Sequence, residues 1–256
     1  MPDFSQVSVF FLVFLRALAF MMAGPLLAFG GVPPLLKIGF SLALAIVVYP
    51  VLPADTAASL PEGLWGYGLA VISETGLGLL LGLAVTMVLN SIRMAGQMID
   101  FQIGYSMASI VDPASGTQNT LVAQYLYLLA LIFWLLIDGH YTLIMALSKS
   151  YQIVPLNAAS FDNSVSLVLL KIFAGAFTIA LQVSAPILAV LLIADLTLGF
   201  LARTAPQINV FLTGFPIKIA VGLLTLSLLI PLLGTVLRSI FNIIERDLYT
   251  LMRVQL

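Results

Sequence analysis

Six apolar stretches, at about Phe4 to Ala23, Leu35 to Leu52, Leu64 to Leu89, Leu121 to Ile137, Val165 to Phe200 and Ile217 to Ile244, occupy most of the chain. Most lie near the roughly 20 residues that carry an α-helix across the hydrocarbon core of a bilayer. Charged residues make up 8% of the sequence, against about 25% in a soluble domain, too little polar surface to cover a soluble globule. The expected fold is an all-α integral membrane protein of about six long, partly kinked helices. Helices follow because backbone groups in lipid must be satisfied internally. A transmembrane barrel would show short alternating segments, and the sequence has long continuous ones.

Composition also narrows the chemistry. The sequence has no cysteine, which removes disulfides, thiolate metal sites and cysteine catalysis. Its net charge of -1 offers no basic footprint for nucleic acid. His140, in Asp138-Gly139-His140-Tyr141, is expected at an interface and makes a poor metal site without a second histidine. The sequence carries no Gly-x-Ser-x-Gly elbow, Walker loop, His-Glu-x-x-His helix or dinucleotide fingerprint, so neither enzyme activity nor a cofactor is expected. Asp3 and Arg16 argue against a cleavable leader, so the first apolar segment should be retained. Basic residues do not decide orientation: Lys37, Arg93, Arg203 and Lys218 compete with Arg246 and Arg253. The connection containing Asp55 and Glu62 is the best candidate for a non-cytoplasmic loop.

Gly24-Pro25, Gly30-Gly31 and Pro33-Pro34 predict a turn or broken helix after the first segment, and Pro50, Pro53 and Pro61 close the second. The stretch from Pro155 to Asn163 is the most polar connection in the second half, which places a coarse boundary near residue 163. Val165 to Phe200 would be about 54 Å long as a helix, more than a hydrocarbon core of about 30 Å. Pro186 is the expected kink. No internal repeat or low-complexity segment stands out, which weakens an inverted-repeat transporter.

Polar exceptions mark the candidate sites. Asn90, Arg93, Gln97, Asp100 and Gly104 recur at steps of three and four and share one helix face. That stripe either pairs internally or faces a conduit or partner, with Gln97 spaced to bridge Arg93 and Asp100. Residues 104–119 are rich in Gly, Ser, Pro and Asn, and Asp112-Pro113 favours a helix break. This stretch either folds into a pore or lies at the surface. Glu74, Lys171 and Asp195 sit within apolar segments. They form either a relay or structural ion pairs, such as Glu74 with Arg16 or Arg93. Further on, Gly199, Pro206, Gly214 and Pro216 predict a helix end, a turn and the start of another helix, with Arg203 complementing the first helix's dipole.

Three sets of residues together resemble the FliR family of bacterial flagellar export-gate proteins. They are Arg93-x-Ala-Gly96-Gln97 with Gln102-x-Gly104, Met107 and Asp112-Pro113; Asp138-Gly-His140; and Asp195-x-x-Leu-Gly199-x-x-x-Arg203-x-x-Pro206-Gln207-x-Asn209-Val-Phe211 with Gly214-Phe-Pro216. Their order and spacing cover about half the chain. The resemblance implies a subunit that assembles with FliP and FliQ into the pore of the flagellar type III export gate. FlhB would lie at its entrance, with FlhA, exported flagellar proteins and membrane lipid as further contacts.

The resemblance also implies a FliP-like part over residues 1–163 and a FliQ-like two-helix hairpin over 164–256. A plug loop would fall at about 104–119, with Gly104, Met107, Ile110, Val111, Asp112, Pro113 and Gly116 as its site residues. Arg93, Gln97 and Asp100 would form an intersubunit stripe, and Asp195, Gly199, Arg203, Pro206, Gln207, Asn209, Gly214 and Pro216 the hairpin motif. It implies the bacterial inner membrane and flagellar basal body, with the gate projecting to the periplasmic side. The alternatives are a homologous virulence-secretion subunit and a small-molecule or ion transporter.

Overall fold

The computed structural model describes residues 4–25, 32–52, 63–105, 120–207 and 209–255. The expectations placed on Gly30, Gly31, Pro53, Asp55, Pro61, Glu62, Met107, Ile110, Val111, Asp112, Pro113 and Gly116 lie outside the described residues. Among the described residues the chain is built of α1 Phe4–Ala23, α2 Pro34–Val48, α3 Leu64–Ile103, α4 Leu121–Leu136, α5 Gly139–Ile153, α6 Asn163–Thr204 and α7 Val210–Arg253. A short 3-10 turn, Tyr49–Val51, follows α2. Among the described residues five helices are long and apolar enough to cross a membrane, or six spans if α4 and α5 count as one. The protein is an all-α membrane protein.

Each of the six apolar stretches falls on a single helix, but two helices are much longer than their stretches: α3 runs through the polar stripe to Ile103, and α7 extends from Val210 to Arg253. Asp138, with φ of +57°, interrupts the helix between α4 and α5. Pro186 lies inside α6, which continues unbroken from Asn163 to Thr204. The sequence reading passed over α5, although Leu143, Ala146, Leu147, Ser150 and Tyr151 form its buried face at helical spacing.

The chain divides into two compact units, each discontinuous in sequence. Unit 1 takes residues 1–88, 137–173 and 241–256. Its centre is Arg16, which is fully buried with Glu74. Arg16 Nε donates to Glu74 Oε2 at 2.5 Å, and its Nη1 donates to the carbonyls of Ser150 and Val154 at 3.0 Å each. Those carbonyls end α5, where the helix dipole favours a cation. The guanidinium also lies 4.4 Å from the Tyr151 ring centroid, and the Tyr151 hydroxyl donates to the Val13 carbonyl. Glu74 Oε1 accepts the Asn157 N–H at 2.9 Å. One ion pair therefore joins α1, α3, α5 and the turn after α5. Of the two partners foreseen for Glu74, the structure selects Arg16.

That pairing requires α1 and α3 to come close, and spacing by four along α3 allows it. A Cβ on Gly78 would overlap the Arg16 carbonyl and lie 2.9 Å from Ala19 Cβ. A Cβ on Gly82 would lie 2.6 Å from the Phe20 carbonyl oxygen and 2.8 Å from Ala23 Cβ. One turn further, Thr86 donates to the Ala23 carbonyl at 2.6 Å; at the other end Tyr67 donates to the Ser8 carbonyl. Contacts advance in the same direction along both chains, so α1 and α3 run parallel. Small residues that let backbones touch are a common membrane-helix interface. Lys149 bonding Tyr249, and Ser160 bonding the Gln255 carbonyl, tie the end of α7 into the same unit.

Unit 2 takes residues 89–136 and 174–240, drawn from α3, α4, α6 and α7. A cavity of about 290 Å³, lined by apolar side chains that include Phe133, Val183 and Leu237, lies beside Pro231.

Removing one member of a buried pair leaves an uncompensated charge and costs roughly 3–5 kcal/mol, whereas replacing both with apolar groups costs far less. Glu74→Leu should therefore lower the thermal unfolding midpoint of the detergent-extracted protein more than the double variant Arg16→Met/Glu74→Leu. Equal losses would show that the pair does not hold unit 1 together.

Candidate functional site

The site forms where α3 ends and α4 begins, at the two feet of the connection spanning 106–119. Asp100 is fully buried. Its Oδ1 accepts the Val122 N–H and its Oδ2 the Ala123 N–H, both at 3.0 Å. These donors belong to the first turn of α4, which has no intrahelical acceptors for them. A capping residue ordinarily precedes its own helix; here the cap comes from α3. The negative carboxylate also meets the positive end of the α4 dipole.

The same residue closes the other foot. The Asp100 carbonyl accepts the N–H groups of Gly104 and Tyr105 at 3.1 Å each. Gly104 has φ of +101°, a conformation open to glycine that ends α3. Asp100 thus binds both the residue where the chain leaves α3 and the turn where it re-enters a helix. Gly96, one turn earlier, makes this possible: a Cβ there would overlap Ala123 Cα and lie 2.7 Å from its nitrogen.

Arg93 also turns toward α4, with Nη2 3.5 Å from Gln124 Oε1 and its guanidinium 5.2 Å from the Tyr127 ring centroid. Gln97 is exposed. The two charges of the stripe are engaged by α4 separately, so Gln97 does not bridge them.

The last turn of α3 meets α6 and α7 on another side. Gln102 Nε2 donates to Asp195 Oδ2 at 2.8 Å, and Lys218 Nζ lies 2.9 Å from Asp195 Oδ1. A Cβ on Gly104 would fall 2.6 Å from Phe215 Cε1, and one on Gly222 would fall 2.7 Å from Ile103 Cδ1. Between Asp195 and Lys218 opens a cleft of about 360 Å³ lined also by Gly199, Ala202, Gly214 and Phe215. A second cavity of about 360 Å³ has Tyr105 and Leu121, the residues beside the two feet, in its lining.

The hairpin motif is distributed differently from the sequence expectation. Only residues 205–209 separate α6 from α7, with Pro206 and Gln207 exposed there. Gly199, Gly214 and Pro216 lie inside the helices, since α6 continues to Thr204 and α7 already begins at Val210. Arg203 falls in the last turn of α6, and the Asn209 carbonyl accepts the Thr213 N–H in the first turn of α7. Lys171 is exposed on α6. Sequence reasoning missed Gln102 and Phe215 as anchors of α3; a glutamine beside the stripe, two residues before Gly104, was the available signal for the first.

Asp100→Ala would leave two buried N–H groups without acceptors, a loss of about 1–3 kcal/mol each. Amide exchange at Val122 and Ala123 should accelerate sharply in this variant and less in Asp100→Asn, which keeps one acceptor oxygen. Unchanged exchange at both amides would rule out the cap.

Comparison with known proteins bears on what this site serves. The family model for bacterial export proteins, family 1, matches residues 7–244. The chain is 36% identical to the flagellar biosynthetic protein FliR of Bacillus subtilis, over 91% of this chain and 90% of that one. It is 30% identical to the FliR of Escherichia coli over 93% of this chain and 90% of that one. It is also similar, at 31% identity over 62% of this chain and 59% of the other, to the surface presentation of antigens protein SpaR of Salmonella typhimurium. The chain belongs to family 1 of the bacterial export proteins, the family of the flagellar biosynthetic protein FliR.

Proposed function

We propose that this chain is a core subunit of the flagellar type III protein export gate, forming with FliP and FliQ the pore for unfolded flagellar substrates. The observation that carries the reading is the clasp made by Asp100. It holds together the ends of a connection far longer than the roughly 2–8 residues that usually join packed helices. A long connection with fixed ends, in a member of an export family, suits a plug that closes a lumen. Residues 104–119 are that plug in this reading, with Met107, Ile110 and Val111 as adaptable apolar contacts.

Helix length supports partner subunits. With 40, 42 and 44 residues, α3, α6 and α7 extend about 60–66 Å, twice a hydrocarbon core of about 30 Å. Only 11% of the apolar window of α7 is buried. Lipid alone covers half of such a helix, and FliP and FliQ would cover the rest. Residues 1–163 then act as the FliP-like part and 164–256 as the FliQ-like hairpin, with FlhB at the entrance and FlhA as a further partner. The assembly would stand in the bacterial inner membrane within the flagellar basal body, projecting to the periplasmic side.

The virulence-secretion reading has a weaker basis, because SpaR aligns over 62% of the chain whereas the two FliR proteins align over 91% and 93%. A transporter loses its coupling acids: Glu74 is closed in by Arg16 and Asn157, and Asp195 is held by Gln102 and Lys218.

Co-expression with neighbouring FliP- and FliQ-like proteins, gentle extraction and native mass spectrometry should yield a defined mixed assembly. A stable solitary chain would overturn the proposal. Deleting the middle of residues 104–119 should increase leakage of ions or small solutes through cells while the assembly persists; unchanged permeability would remove the plug assignment.

A further inference from the structure

The last turn of α3 is held by two unlike grips. On one side both carboxylate oxygens of buried Asp100 are taken by backbone N–H groups of α4. On the other, Gln102 reaches the Asp195–Lys218 pair, whose side chains are 38% and 17% exposed. We propose that Gln102, Asp195 and Lys218 form a breakable latch. It positions the last turn of α3, and so the point where the chain leaves that helix, against the α6–α7 hairpin. The latch is a property of this chain alone; its consequence for permeability rests on the export-gate reading.

Three features make this grip the one that yields. Asp195 and Lys218 are only part-buried, so neither charge is enclosed by the fold, whereas a fully buried pair, such as Arg16 with Glu74, leaves an uncompensated charge when it breaks. The cleft beside Asp195 and Lys218 gives both side chains room to separate, and a Cβ on Gly199 would meet nothing within 4 Å. Gln102 carries both a donor and an acceptor, so it can follow either partner. By contrast, Phe215 against Gly104 and Ile103 against Gly222 are close contacts with little slack. While the latch is closed, displacement of the hairpin at Phe215 is passed directly to Gly104. Asp100 then serves as the pivot, because its bonds to α4 stay in place.

Because the sequence has no cysteine, a labelled pair can be introduced cleanly. Phe101→Cys on α3 and Leu196→Cys on α6 are both exposed positions next to the latch. Spin labels at these sites, read by pulsed electron resonance in the co-expressed assembly, report whether the last turn of α3 stays against α6. The parent should give one narrow distance. Asp195→Lys and Lys218→Asp should each increase the separated population roughly two- to fivefold, the shift expected from losing one part-exposed pair. The double swap Asp195→Lys/Lys218→Asp should restore the narrow distance, and ion leakage should rise in the single variants and fall back in the swap.

An unchanged distance in both single variants overturns the latch, as does a swap that assembles but fails to restore it. If charge reversal prevents assembly, Asp195→Asn and Lys218→Gln are read by the same criterion. Separation without leakage would keep the latch and count against the export-gate consequence, so the two can fail independently.

Discussion

A guanidinium placed in the middle of an apolar helix has to be satisfied from every side, and the arrangement of unit 1 follows from how Arg16 achieves this. Its carboxylate comes from α3, its carbonyl acceptors from the end of α5, and its stacking surface from Tyr151. The carboxylate reaches Arg16 only because α1 and α3 nearly touch. Gly78 and Gly82, on the same face of α3 as Glu74, remove the side chains that would hold the helices apart. The charge supplies the requirement for contact, and the missing Cβ atoms permit it. An ion pair of this kind specifies an arrangement more than it adds net stability, since its desolvation offsets much of its attraction.

Unit 2 repeats the pairing of a glycine with an acid on a smaller scale. Gly96 brings the first turn of α4 against α3, and Asp100, one turn on, caps it. The economy lies in using one residue twice: the side chain of Asp100 serves α4 while its carbonyl ends α3 around Gly104. Two helix termini that would otherwise expose unsatisfied backbone groups are settled together. The Asp195–Lys218 pair is of a different kind, only part-buried and beside a cleft. The first kind of contact holds helix ends within the fold, and the second is the kind that can change partner.

Much of the architecture was legible because lipid restricts the choices. Runs such as Phe4 to Ala23 and Leu121 to Ile137 can be little other than helices, and they match α1 and α4 within a residue. The helix α5 was overlooked because Lys149 and its serines dilute its hydropathy, although the spacing of Leu143, Leu147 and Tyr151 carried the signal. The hairpin turn was drawn too wide because Gly199, Gly214 and Pro216 were read as breakers. In long helices such residues are tolerated when their surroundings re-satisfy the backbone, and here the two glycines line a cleft instead. The polar stripe was identified by its residues but not by its partner: periodicity places Arg93 and Asp100 on one face and says nothing about which helix lies opposite.

The sequence by itself determined the class of fold, the positions of most helices and the family, because hydropathy, helical periodicity and motif spacing are local properties that any neighbourhood leaves intact. It also marked Glu74 as costly unless paired or solvated, either in a relay or in a structural ion pair. Only the tertiary structure decided that Arg16 rather than Arg93 does so, that Asp100 caps a helix other than its own, and that Gln102 and Phe215 anchor the end of α3. Each of these depends on which backbones approach within a few ångströms, and that is permitted by glycines on the facing helix surfaces as much as by the residues that finally bond.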